Sequence, residues 1–109
     1  MRDGALEGRQ SAIDMMVLKA LSIEDMHGWA ISQYIQRVSR DVLQINQGSL
    51  YPALHRLERD GYIRAEWRPS ENNRRAKYYR LGAAGRRQLD VEHESWLKFS
   101  QAVQRVMQS

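Results

Sequence analysis

The stretch from Gly48 to Ile63 constrains the fold more than any other part of this 109-residue chain. Leu50, Leu54 and Leu57 recur at the spacing that lines one stripe of an α-helix, and Ala53 widens that stripe. The pattern predicts a helix with one face in a core. At about 100° per residue the opposite face carries Gly48, Pro52, His55 and Arg59, flanked by Ser49, Tyr51 and Arg56, and none of these is an acid. Pro52 removes one backbone donor and presses on the carbonyl of Gly48, which has no side chain of its own to add to the crowding. Gly61 is placed to stop the helix, and Tyr62-Ile63 to open a strand. Two readings of the outer face stand side by side: a solvated surface that lacks acids, or a footprint for phosphate.

Downstream the period changes from helical to alternating. Ile63, Ala65 and Trp67 alternate with Arg64, Glu66 and Arg68, which predicts a half-buried strand. Pro69 to Arg75 is a polar turn region, and Ala76 to Leu81 returns with Tyr79 and Leu81 on one face and Tyr78 and Arg80 on the other. A lone hairpin is marginal in water, so this one must pack on helices. Net charge is only +4, but seven bases fall between Arg68 and Arg87 against one acid, Glu71, leaving the rest of the chain at −2. A basic patch on a nearly balanced body points to a polyanion met by one surface.

Upstream, residues 1–10 are polar and without periodicity and read as a flexible N-terminal arm. Ser11 and Asp14 have the spacing of a capping box, and Ile13, Met16, Val17, Ala20 and Leu21 form the stripe of a first helix ending near Ser22. Ile23 to Met26 is a short acidic connection. His27-Gly28 marks the start of a second helix with Ile31, Ile35 and Val38 buried and with Trp29 and Tyr34 at its margins; Asn46 is a good N-cap for the third. Three helices and a hairpin, in that order, are the winged helix-turn-helix pattern. The chain closes with one long helix from about Ala83 to Met107. On it Leu89, Trp96, Phe99, Val103 and Val106 occupy a and d positions of a heptad, with Glu92 as a polar interruption. Nothing is left in the chain to cover that stripe; packing back onto the first helix could bury part of it, but a second copy is the simpler cover. The expected architecture is mainly α with a small β-hairpin: an arm over 1–10, a winged helix-turn-helix over 11–81 and a dimerisation helix over 82–109.

Function classes are excluded as well as suggested. The chain has no cysteine, its three histidines (His27, His55, His93) lack metal-ligand spacing, and no carboxylate pair, nucleophile triad or Gly-rich phosphate loop is present. No enzyme, cofactor or metal is expected. No apolar run has the length of a membrane span and the first residues lack a signal-peptide core, so the cytoplasm is the expected location.

The string Gly48-Ser49-Leu50-Tyr51-Pro52-Ala53-Leu54-His55-Arg56-Leu57-Glu58, followed by Asp60-Gly61-Tyr62-Ile63, resembles the signature of the PadR family of transcriptional regulators. Lys77-Tyr78-Tyr79-Arg80-Leu81 with Gly85 is similar to the family's second wing strand and the start of its last helix, and His27-Gly28-Trp29-Ala30-Ile31 to its second-helix start, where tyrosine is commoner than Trp29. Gly82 departs from the family's usual capping threonine. The resemblance covers roughly Ser11 to Leu89, and the single C-terminal helix is similar to the short subfamily. It implies a dimeric DNA-binding repressor, often relieved by a small molecule.

On that reading the third helix enters the major groove, with Gln47, Ser49 and His55 within reach of base edges, and Tyr51, Arg56, Arg59, Arg74, Arg75 and Lys77 on backbone oxygens. In the resembling family the residues matching Ser49, Tyr51 and Lys77 belong to the DNA-contact set. A homodimer implies a roughly palindromic operator in double-stranded DNA. Trp96, with Glu92 one turn earlier, either lines a site for a small planar effector at the interface or fills that interface. The competing class is a winged helix that binds an acidic protein instead of DNA, because a fold does not determine its function.

Overall fold

The computed structural model describes the backbone of residues 4–109 and the side chains from Ala12 onward. In chain order the elements are α1 (Gly4–Ile23), β1 (Met26–His27), α2 (Gly28–Val38), α3 (Gln47–Arg59), β2 (Ile63–Pro69), β3 (Arg75–Leu81) and α4 (Ala83–Gln108). The fold is mainly helical with a small antiparallel sheet, as expected. Among the described residues no helix is long and apolar enough to cross a membrane.

The helix expected to begin at Ser11 begins at Gly4 instead. Ser11 therefore lies inside α1 and does not cap it. Of the arm expected over residues 1–10, residues 4–10 are helical and residues 1–3 lie outside the described residues. Ala5, Leu6, Glu7, Arg9 and Gln10 are all strong helix formers, so propensity extends the helix where no apolar period announces it.

The core forms where the helical stripes meet. Leu50, Ala53, Leu54 and Leu57 of α3 are all buried, against Val17, Leu18, Ala20 and Leu21 of α1 and Ile31 and Ile35 of α2. Leu18, outside the expected stripe, is completely buried because α1 is covered by four elements, α2, α3, α4 and β3, and so has a wider apolar face. Val38, expected on the buried stripe of α2, is 60% exposed. It is the last residue of α2 and sits at the rim of a shallow apolar depression beside Met16 and Lys19 of α1.

Two helix ends show the same hydrogen-bond geometry with different residues. At the end of α3 the Tyr62 amide donates to Leu57 and the Gly61 amide to Glu58, with Gly61 at φ 81°. At the end of α2 the Asp41 amide donates to Gln36 and the Arg40 amide to Arg37, with Arg40 at φ 55° and Asp41 at φ 67°. Both close the helix in the left-handed conformation that glycine adopts without a Cβ penalty.

The hairpin expected from alternation is present, and a third strand joins it. The order is β1-β3-β2, all antiparallel, with Met26 opposite Tyr79, His27 opposite Tyr78, and Ile63 to Pro69 opposite Leu81 to Arg75. Two residues are too few to show alternation, so β1 read as a connection. It makes β3 a central strand and ties the wing to the start of α2. Met26, Ile63, Tyr79 and Leu81 carry the buried face of the sheet into the core, whereas Trp67, expected on the half-buried face, is 58% exposed.

Gly82 is the N-cap of α4 and, as its residue type requires, offers no side-chain bond. Gly85, one turn later, is buried against the Tyr62 carbonyl, and a Cβ built there would overlap that oxygen. Backbone atoms cannot rotate away as a side chain can. Gly85→Ala is expected to destabilise the protein by about 1 to 3 kcal/mol, read as a lower urea midpoint at unchanged slope.

Candidate nucleic-acid interface

The outer face of α3 is built by its own local chemistry. Asn46 caps the helix, its Oδ1 accepting from the Ser49 amide at 2.9 Å, and this sets the first turn that presents Gln47 and Ser49 to solvent. Tyr51, His55 and Arg59 continue that exposed face. The Tyr51 ring lies against Gly28, where an added Cβ would stand 3.3 Å from the ring, so the start of α2 holds the tyrosine in place. His27 caps α2, its Nδ1 accepting from the Ala30 amide at 3.1 Å, and its ring meets Tyr78 edge-on at 5.2 Å.

Arg56 departs from the group expected to bind phosphate. Its guanidinium donates to Asp14 Oδ1 at 2.9 Å, and the two side chains are only 30% and 20% exposed. The pair joins α3 to α1. Burial pushes the Asp14 carboxyl above its ordinary value, outweighing the opposite effect of Arg56. Arg59 lies 3.6 Å from Asp60 on the exposed end of the helix.

The wing tip is closed by the Ser70 amide donating to Arg74 at 2.7 Å and the Asn73 amide donating to Ser70 at 3.0 Å, with Asn73 at φ 60°. Asparagine tolerates this left-handed position better than most residues. The turn leaves Arg74 and Arg75 exposed, and neither has an acid partner among residues 12–109. The rest of the basic segment is less available than its charge suggests. Arg68 donates to Asp25 at 2.8 Å and to Glu66, and stacks over Tyr78 at 5.2 Å; Arg80 reaches the same Asp25 oxygen at 3.3 Å. Lys77 lies 3.6 Å from Glu58 and 5.7 Å from the Tyr79 ring centre.

Trp29 at the start of α2 and Trp67 on β2 are both largely exposed, and with Tyr51, Arg74, Arg75 and Lys77 they line one groove between α3 and the wing, about 450 Å³ in volume. No carboxylate lines it. The structure thus brings Tyr51 of α3 and the wing bases onto two sides of a cationic groove, and turns Arg56 to Asp14 instead. The two tryptophans were not among the residues selected from sequence, since their apolar character read as margin or core. Among the described residues no three His, Cys, Asp or Glu are grouped as metal ligands.

This arrangement, a capped helix beside a basic three-stranded wing, is that of known regulators. The model of the Transcriptional regulator PadR-like family matches residues 17–91. The chain belongs to the PadR-like family of transcriptional regulators. It is 32% identical over 89 residues to the Mycobacterium tuberculosis transcriptional regulator Rv3488, covering 82% of this chain and 79% of that one. Its fold matches a transcriptional regulator from Clostridium thermocellum with a TM-score of 0.80 at 26% identity, over 96% of both chains. A PadR family regulator from Eggerthella lenta matches with a TM-score of 0.78 at 28% identity, over 96% of this chain and 89% of that one.

In this PadR-like chain Asp25 anchors the wing. Hydrogen bonds from Arg68, and more weakly from Arg80, hold its carboxyl below the ordinary value of 3.8. A depressed carboxylate contributes stability that is fully present above pH 3.8 and is lost as pH falls through the folded value. Asp25→Asn is therefore expected to lower Tm at neutral pH and to converge with wild type in acid. Thermal melts of the two proteins from neutral to acidic pH check this, and the difference between them removes the contribution of Asp14.

Proposed function

We propose that this PadR-like regulator is a sequence-specific DNA-binding protein that works as a homodimer. One observation carries the reading: Tyr51 of α3 and the wing bases Arg74 and Arg75, which have no acid partner among residues 12–109, line a single groove without carboxylates, beside the exposed face of α3. Gln47, Ser49 and His55 face outward where they would meet base edges, while Tyr51, Arg59, Arg74, Arg75 and Lys77 would meet backbone oxygens. Arg56 serves this surface indirectly, by fixing α3 to α1 through Asp14. An acidic protein partner would fit the same charge, but it would not require a helix face carrying Gln47, Ser49 and His55 beside the basic groove.

Replacing Arg74, Arg75 and Lys77 together with Ala is expected to weaken binding to all duplex sequences and to flatten the plot of log K against log salt. The slope should fall by roughly 0.9 for each phosphate contact removed. Wild-type protein that binds duplex DNA with no salt dependence, or not at all, would refute the reading. Gln47→Ala and Ser49→Ala should instead reorder preferences among operator variants.

The dimer is supported by α4. Trp96, Phe99, Val103 and Val106 are all exposed along one stripe, whereas Leu89 is half-buried against the core of its own chain. Covering an apolar side chain of this size contributes roughly 1.5 to 3 kcal/mol, so four per chain offset the ordering cost of association. The double variant Val103→Asp, Val106→Asp should sediment as a monomer at micromolar concentration where wild type sediments as a dimer. Two identical reading heads related by a two-fold axis require inverted half-sites, hence a palindromic operator.

Repression relieved by a small planar molecule completes the proposal. The Trp96 and Phe99 rings lie 6.0 Å apart, tilted by 41°, and in a dimer they would form an aromatic wall with their copies. Glu92, hydrogen-bonded to Gln88 one turn earlier, would favour a cationic effector there.

A further inference from the structure

We infer that the groove between α3 and the wing is the seat of one sugar-phosphate strand, with Trp29 and Trp67 packing on its deoxyriboses. The inference deepens the DNA-binding reading and rests on it. A helix in the major groove and a wing beside it are separated by the strand that divides the two grooves of the duplex. The protein surface between α3 and the wing must therefore accept that strand along its length. Here that surface is a groove of about 450 Å³, with Arg74, Arg75 and Lys77 on the wing side, Tyr51 on the α3 side and no acid in its lining.

The charge of the groove suits phosphates, but charge alone leaves its two indoles unexplained. Trp29 and Trp67 are 60% and 58% exposed, which is costly for side chains with so much apolar surface. They come from different elements, the start of α2 and the strand β2, and reach the same groove only because β1 ties the start of α2 to the sheet. A deoxyribose offers an apolar edge between consecutive phosphates. A lining that combines indoles with guanidinium and ammonium groups suits a strand that offers both sugar and phosphate. Duplex DNA is the occupant that satisfies both halves of the lining. An acidic peptide would satisfy the bases and leave the indoles in water.

The consequence is a contribution to affinity that salt does not screen. Trp29→Ala and Trp67→Ala should each weaken binding to duplex DNA on the order of tenfold while leaving the salt slope unchanged. Trp29→Phe should recover most of the loss, because the ring and not the indole N–H makes the contact. Hydroxyl-radical footprinting, which reads the exposure of deoxyribose, should show two or three sugars per half-site protected by wild type and released by the alanine variants. Val42→Ala, at an exposed apolar residue outside the groove, is the control and should bind as wild type does.

If wild type binds duplex DNA with the expected salt slope but both tryptophan variants bind and protect sugars as wild type does, the inference fails and the DNA-binding reading stands. If wild type binds no DNA, both fail. Single-stranded DNA competing better than duplex would also overturn the seat. Should Trp29→Ala lower the melting temperature as well as the affinity, the Trp29→Phe protein decides: affinity restored with a wild-type footprint supports the contact, and affinity still lost at a wild-type melting temperature overturns it.

Discussion

Burial of the leucine stripe of α3 is the constraint on which the rest of the molecule depends. Leu50, Leu54 and Leu57 pack into the same core as Leu18 and Ile31, and each such side chain contributes roughly 1.5 to 3 kcal/mol. A helix has one buried face at a time, so this packing dictates which residues are turned outward. Ser49, His55 and Arg59 are exposed because the leucines are not. The end of the same helix then directs the sheet. With Gly61 in the left-handed conformation the chain reverses into β2, and Ile63 is delivered to the core within two residues.

Around that core the charges have been divided between two tasks. Some bases are structural: Arg56 pairs with Asp14 to join α3 to α1, and Arg68 and Arg80 converge on Asp25 to hold the wing to the α1–β1 connection. Others remain at the surface, above all Arg74 and Arg75 at the wing tip, where a closed five-residue turn leaves both exposed and neither pairs with an acid among residues 12–109. A local excess of positive charge in the sequence therefore overstates the polyanion-binding surface, because acids distant in sequence neutralise part of it. The aromatic residues divide in the same way, with Tyr79 in the core and Trp29 and Trp67 left at the groove.

The periodic parts of the molecule were legible in the sequence. The stripe of α3, the caps at Asn46 and Gly61, the alternation of β2 and β3 and the length of α4 are local patterns, each repeated often enough to be read from residue spacing alone. The parts that were not legible are short or aperiodic. The first turns of α1 follow from propensity with no apolar repeat, and β1 has two residues, too few to alternate. Val38 and Trp67 fit their stripes and yet are exposed, because the spacing of a stripe does not say how far the packing of the core extends along it.

The chemistry of the surface follows the same division. Which face of α3 is polar, which strands carry the bases and that α4 carries an apolar stripe were determined by residue order, since each is a property of one element. Which bases are exposed, that Arg56 turns to Asp14, that Asp25 gathers two arginines, and that Trp29 and Trp67 line one groove were decided only by tertiary structure. These juxtapositions join residues far apart in the chain, 42 to 55 positions for the ion pairs, and such distances are set by the packing of the core rather than by any spacing along the chain.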